Sequence, residues 1–96
     1  MAIHTIKTQD IYESAYLLTM GAQIISVEQT LENHKPICKF IISGNNLPEL
    51  QNNYYNNRAL VNLWDFRRSF TRVNALISKT RKESIQQKNA PLLKGV

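Results

Sequence analysis

The sequence predicts an α+β domain: a helix, an antiparallel β-hairpin, a short helix, and a long basic amphipathic helix packed on the sheet. Three observations carry this. A capped apolar stripe opens the chain and stops at Gly21. Two β-branched segments then flank a polar stretch that ends in Pro36. Finally, Leu63, Phe66, Phe70, Val73 and Ile77 follow one another at steps of three, four, three and four residues, one continuous helical face.

The first helix is expected over residues 10–20. Asp10 is its cap, and Glu13, three residues on, has the spacing of a capping box, in which its carboxylate reaches back to the cap's own amide. Ile11, Ala15 and Leu18 form the buried stripe, with Tyr12 and Tyr16 on its flank. Gly21 is the residue best able to take the left-handed conformation that ends a helix.

Residues 22–30 and 37–43 read as the hairpin strands. Ile25 and Val27 are placed on one face of the first, and Cys38, Phe40 and Ile42 on one face of the second. The segment 31–36 between them is polar and reads as an exposed tip, longer than a two-residue turn. Asn46, Pro48 and Glu49 then open a short helix with a second capping box, turning Leu47, Leu50 and Tyr54 inward. Asn52, Asn53, Asn56 and Asn57 end it, and residues 58–61 are a candidate third short strand.

Asn62 caps the third helix, which no glycine or proline interrupts before Lys82. Beyond it the sequence turns polar, and Pro91 and Gly95 mark residues 84–96 as a flexible C-terminal tail after a single domain over residues 1–83.

The bulk properties bound the function. A chain of 96 residues fits one domain, and a core this small would gain from a partner chain, so homodimerisation fits although no residue demands it. Cys38 is the only cysteine, which excludes an intrachain disulfide and fits a reducing compartment; in a strand it reads as a small apolar residue. No apolar run approaches the roughly twenty residues that span a bilayer, and residues 1–10 lack the apolar stretch of a signal peptide, so a cytoplasmic protein without membrane contact is expected.

Charge is the most informative property. The net charge is +5, yet residues 1–57 hold three lysines against five carboxylates, whereas residues 58–96 hold nine Lys or Arg against Asp65 and Glu83. On helical geometry Arg68, Arg72 and Lys79 lie opposite the apolar seam, with Arg67, Arg81 and Lys82 nearer its edges. Guanidinium groups at one- and two-turn steps can follow a phosphate backbone. The plainer reading is a solvated face, with Asp65 paired to Arg68 and Glu83 to Lys79. Trp64 lies on the flank of this helix, where it would either stack on an unpaired base or, as most such tryptophans do, pack beneath the preceding helix.

No catalytic set emerges. The carboxylates are explained by caps and helix pairs, Ser43-Gly44-Asn45-Asn46 lacks the pattern of a phosphate loop, and His4 and His34 have no companion at metal-ligand spacing. No cofactor or metal is therefore expected, and no enzymatic activity. Residues 55–61 are longer than the turn of a helix-turn-helix reader, and the narrow seam favours packing on a sheet over lying on a membrane.

Thr8, Asp10, Tyr12, Ala15, Tyr16 and Leu17, followed by Phe40 and then by Val61 and Phe66, resemble the motifs of a small domain family of undefined role found in bacteria and their mobile elements. Ser14 stands where that family's opening motif has its first alanine. The resemblance covers residues 6–82. It implies the helix, hairpin and closing amphipathic helix, but no functional residue.

Two functions follow as expectations. The leading one is a small accessory protein that contacts nucleic acid through Arg67, Arg68, Arg72, Lys79, Arg81 and Lys82. The alternative is a protein-interaction module, such as a phage- or mobile-element-encoded inhibitor or assembly subunit, that meets an acidic protein surface.

Overall fold

In the computed structural model, which describes the backbone of residues 3–94 and the side chains of residues 3–82, six elements follow in order. They are β1 (His4–Thr8), α1 (Ile11–Thr19), β2 (Gln23–Glu32), β3 (Lys35–Gly44), α2 (Leu47–Tyr55) and α3 (Leu63–Lys94). The fold is α+β. β3 lies between β1 and β2 and is antiparallel to both, so the strand order is β1-β3-β2.

The third strand is therefore the N-terminal segment, not residues 58–61. Thr5, Ile6 and Thr8 are β-branched, and β1 pairs along the free edge of β3, with Ile6 opposite Ile42 and Thr8 opposite Phe40. Residues 58–61 have no regular structure. Asn57 turns left-handed at φ +59°, and the Arg58 amide folds back onto the Asn53 carbonyl at 2.7 Å, which closes α2. The chain then crosses the surface with Leu60 86 % exposed.

α1 begins and ends as its sequence predicts. Asp10 Oδ1 accepts from the amides of Tyr12 at 2.9 Å and Glu13 at 3.1 Å. At the other end Gly21 adopts φ +102°, Ala22 N donates to the Leu17 carbonyl, and Gly21 N donates to that of Leu18. This is the paired closure of a Schellman motif.

The reciprocal half of the capping box does not form. Thr8 Oγ1 accepts from the Asp10 amide at 3.1 Å, which leaves Glu13 free to turn inward. Glu13 is fully buried and accepts from the Thr8 hydroxyl at 2.7 Å and the Gln51 amide at 3.2 Å. Its neighbours Ser14, Ala15, Tyr16 and Leu17 are buried as well, whereas Ile11 and Leu18 of the predicted stripe are only half-buried, so the enclosed side of α1 differs from that stripe. Tyr12, by contrast, is exposed.

Two features of the hairpin differ from expectation. A β-bulge between Ile24 and Ser26 adds one residue to β2, so Ile24 and Val27 pack on the core while Ile25 points outward, 61 % exposed. The tip is also tight: Glu32 pairs with Lys35 across Asn33 and His34, whose φ values are 52° and 67°. Two successive positive φ angles match the right-handed twist of the strands, as in a type I′ turn. Pro36 is tolerated inside β3 because β1 pairs with β3 only from Phe40 onward, so at Pro36 the strand has a single neighbour.

The core lies on one face of the sheet. Phe40 and Ile42 are fully buried there, as placed by the alternation with Cys38, which is half-buried. Leu17, Leu47 and Val73 close over them. α3 packs chiefly on α1 and also meets β2, with the Thr19 and Ser69 hydroxyls hydrogen-bonded at 2.8 Å between the helices. α2 packs against α1 and β1. It starts on Asn46 in a left-handed conformation, at φ 61°, with no side-chain cap, so the second predicted capping box is absent.

Asn62 does cap α3, through Asp65 N at 3.2 Å. The seam packs against the core from Phe66, which is half-buried, whereas Leu63 is exposed. The helix runs on past Lys82 to Lys94. The expected tail over 84–96 lies where side chains, and for 95–96 the backbone as well, are outside the described residues. Among the described residues, no helix is long and apolar enough to cross a membrane.

Candidate nucleic-acid interface

The outward side of α3 is built by the periodicity that buries its inward side. Once Phe66, Ser69, Val73 and Ile77 are committed to the core, positions 64, 67, 68, 71, 72, 75 and 79 must face away from it. Those positions hold Trp64, three arginines, Thr71, Ala75 and Lys79. All six predicted cations, Arg67, Arg68, Arg72, Lys79, Arg81 and Lys82, are exposed.

They do not form one patch. Arg67, Arg68 and Arg72 converge with Trp64 and Thr71 on an open groove of about 390 Å³. Lys79 continues the same line two turns on, at the border with β2, where it lines a separate groove with Ile24 and Leu76. Arg81 stands on the other border, beside Cys38, Phe40 and Ile77. The arginine triad is thus the compact part, and the remaining cations extend its field along the helix.

Trp64 departs most from the expectation of core packing. It is 67 % exposed, and the Arg67 guanidinium lies over its ring, with Cζ 5.0 Å from the centroid. A cation over the indole face is attracted by the ring quadrupole and holds the ring in place. The only carboxylate ion-paired to this group among the described residues is Asp65, which binds Arg68, as the three-residue spacing predicted. Over residues 63–82 six cations therefore face one carboxylate.

The remaining surfaces contrast with this one. On the sheet face away from the core, Lys7 pairs with Glu28 at 3.0 Å and Lys39 with Glu32 at 3.2 Å, which offsets the charge there. Phe40 is the only Phe, Tyr or Trp in the three strands, and it is buried. That face offers neither the field nor the aromatics with which sheets bind unpaired bases.

A second groove, about 240 Å³, opens where α1, α2 and the start of α3 meet, lined by Tyr12, Tyr16, Tyr54, Val61, Leu63 and Phe66 among others. Tyr12 stacks on Phe70 with ring centroids 5.3 Å apart, and Phe70 stacks on Phe66 at 6.1 Å. The exposure of Leu63 and Tyr12 was not legible in the sequence, where both fall on or beside an apolar stripe. The only signal was the polar Asn-rich turn before residue 58, which separates α2 from this end of α3.

Beside this groove a polar cluster ties α1 to α2. The Tyr54 hydroxyl donates to Asp10 Oδ2 at 2.8 Å. Burial, reinforced by the Asp10 carboxylate that accepts its proton, holds the Tyr54 hydroxyl well above the ordinary tyrosine range. Tyr55 is raised as well, first by a hydrogen bond to Glu13 and then by burial. Each carboxylate has a structural role, Asp10 as a cap and Glu13 as a buried acceptor. Among the described residues no three His, Cys, Asp or Glu side chains come together in a way that could hold a metal ion.

Comparison of the chain with protein-family models, with curated proteins and with solved structures finds no match. The functional reading accordingly rests on the α3 surface: a tryptophan and three arginines on one groove, with further cations along the same helix.

Proposed function

We propose that the protein is a small cytoplasmic nucleic-acid-binding accessory factor that contacts phosphates through the outward face of α3. One observation carries this reading. Arg67, Arg68 and Arg72 are exposed around a single groove, Lys79 lies further along the same line, and only Asp65 offsets them among the described residues. Arginine's forked donors match phosphate oxygens, and a line of cations on a straight helix follows a phosphate backbone without reading sequence. On this reading the protein binds and does not catalyse.

The test is binding of the purified chain to labelled single- and double-stranded DNA and RNA at low salt, beside an Arg68→Ala/Arg72→Ala/Lys79→Ala variant. The wild type should bind and the variant should lose most of its affinity with its circular dichroism spectrum unchanged. Absence of binding at low salt would overturn the reading.

A second reading has its own observation. The apolar groove between α1, α2 and α3, lined in part by the exposed Leu63 and Tyr12, is a surface of the kind that protein partners cover. A protein-interaction module would use that groove for its apolar contact and the arginines for an acidic rim on the partner. Co-purification of a protein that is lost on Leu63→Asp, but unaffected by the triple alanine variant, would favour it.

A further inference from the structure

We infer that the α3 surface takes single-stranded nucleic acid, with an unpaired base stacked on Trp64 and the adjoining phosphates held by Arg68, Thr71 and Arg72. The inference deepens the phosphate-binding reading above and rests on it.

The core does not need Trp64. α3 buries Ser69, Val73 and Ile77 and half-buries Phe66, Phe70 and Leu76, while Trp64 contributes no buried contact to that set. Its indole lines the same groove as the three arginines and Thr71. An exposed flat aromatic next to cations is the combination that single-strand binders use. The ring receives a base through its π-face, and the cations receive the phosphates on either side of that base.

Arg67 fits this arrangement. Placed over one face of the ring, it fixes the indole, so that a base would stack on the opposite face of this exposed side chain. Arg68 and Arg72 are one helical turn apart, about 6 Å along the axis, and Thr71 sits between them with a hydroxyl donor. The stacking surface and the phosphate donors therefore follow one another along a single helix face, in the order in which a strand laid on that face would meet them.

Duplex nucleic acid would use this surface less fully. In a duplex each base is stacked on its neighbours and its π-face is closed, so Trp64 would gain nothing beyond an edge contact. The open sheet face is no competitor, because two of its three lysines, Lys7 and Lys39, are paired with Glu28 and Glu32 and it carries no exposed aromatic ring. An acidic protein segment would satisfy the arginines but leave the indole unused.

Trp64 is the only tryptophan, so its fluorescence reports this site alone. The experiment titrates the full chain at low salt with oligo(dT), oligo(U), a DNA duplex of equal length and poly-glutamate. It follows indole quenching together with the anisotropy of a labelled strand, for the wild type, Trp64→Ala and Trp64→Phe. Single strands should quench the indole and bind more tightly than duplex. Trp64→Ala should weaken that binding by between roughly fivefold and 150-fold, and Trp64→Phe should retain most of it.

Comparison of oligo(dT) with oligo(U) separates a DNA strand from an RNA strand. Salt-sensitive binding to single strand and duplex alike, without quenching and without an effect of Trp64→Ala, would overturn the inference and leave the phosphate reading standing. Equal binding and quenching by poly-glutamate would overturn it in favour of an acidic partner. No binding to any nucleic acid would overturn both.

Discussion

Replacing Glu13 by alanine should be among the most destabilising single changes in this domain, although the sequence marks the residue as an ordinary helix-cap partner. The side chain is fully buried, and it accepts hydrogen bonds from the Thr8 hydroxyl at 2.7 Å and the Gln51 amide at 3.2 Å. These bonds join β1, α1 and α2, and none of the hydrogen-bond donors is a cation. A hydrogen bond to a charged acceptor contributes about 1.5–3 kcal/mol, and a buried donor left without a partner costs about 1–3 kcal/mol. Against this stands the carboxylate's own desolvation, which the alanine relieves. With part of that offset taken, a net loss of about 3 kcal/mol is expected, out of a total stability of about 5–14 kcal/mol for a chain of this length.

Urea denaturation followed by far-ultraviolet circular dichroism measures the loss directly. With a slope of about 1–2 kcal/mol per molar, the midpoint should fall by about 1.5–3 M. Glu13→Gln keeps one acceptor oxygen but turns an NH₂ towards a second donor, so it should fall between wild type and alanine. A Glu13→Ala midpoint within about 0.5 M of wild type would refute the reasoning, since an exposed capping-box glutamate would behave in that way.

Two further predictions concern the turn and the tyrosine cluster. His34 holds φ 67° without being glycine. His34→Gly relieves a left-handed strain of about 1–2 kcal/mol at a smaller entropic cost, so it should raise the urea midpoint. A lowered midpoint would show that the turn is not of the two-residue type. Tyr54 and Tyr55 have hydroxyls raised above their unfolded value of about 10. Above that pH the unfolded chain loses protons that the folded chain keeps, so stability is fully present below pH 10 and falls as pH rises. Tyr54→Phe should flatten this alkaline limb while lowering stability at neutral pH by about 1 kcal/mol through the lost bond to Asp10, and an unchanged alkaline slope would contradict it.

Much of the fold was legible because its local signals and tertiary contacts agree. Asp10 and Gly21 bound α1 in sequence and in structure, and Cys38, Phe40 and Ile42 alternate onto the core as their spacing requires. What was not legible depends on partners remote in sequence. Residues 4–8 become a strand only because β3 offers them a free edge. One bulged residue at Ile25 reverses the facing of β2, which no periodicity of the isolated strand reveals. Glu13 has the spacing of a capping box, and the alternative is decided by Thr8, whose hydroxyl takes over the Asp10 amide. At the interface, the cationic line was readable from helical angles alone. The exposure of Trp64 was not, because it depends on whether any element remote in sequence reaches that flank of α3.

The central claim, a phosphate-tracking face on α3, is tested most directly by the salt dependence of single-strand binding. Arg67, Arg68, Arg72 and Lys79 make four contacts available, so log K should fall against log salt concentration with a slope of about −3. Removing Arg68, Arg72 and Lys79 together should reduce the magnitude of that slope by about 2. These exposed side chains contribute little to stability, so the variant stays folded. A slope near zero in the wild type, or one that the triple variant leaves unchanged, would contradict the account.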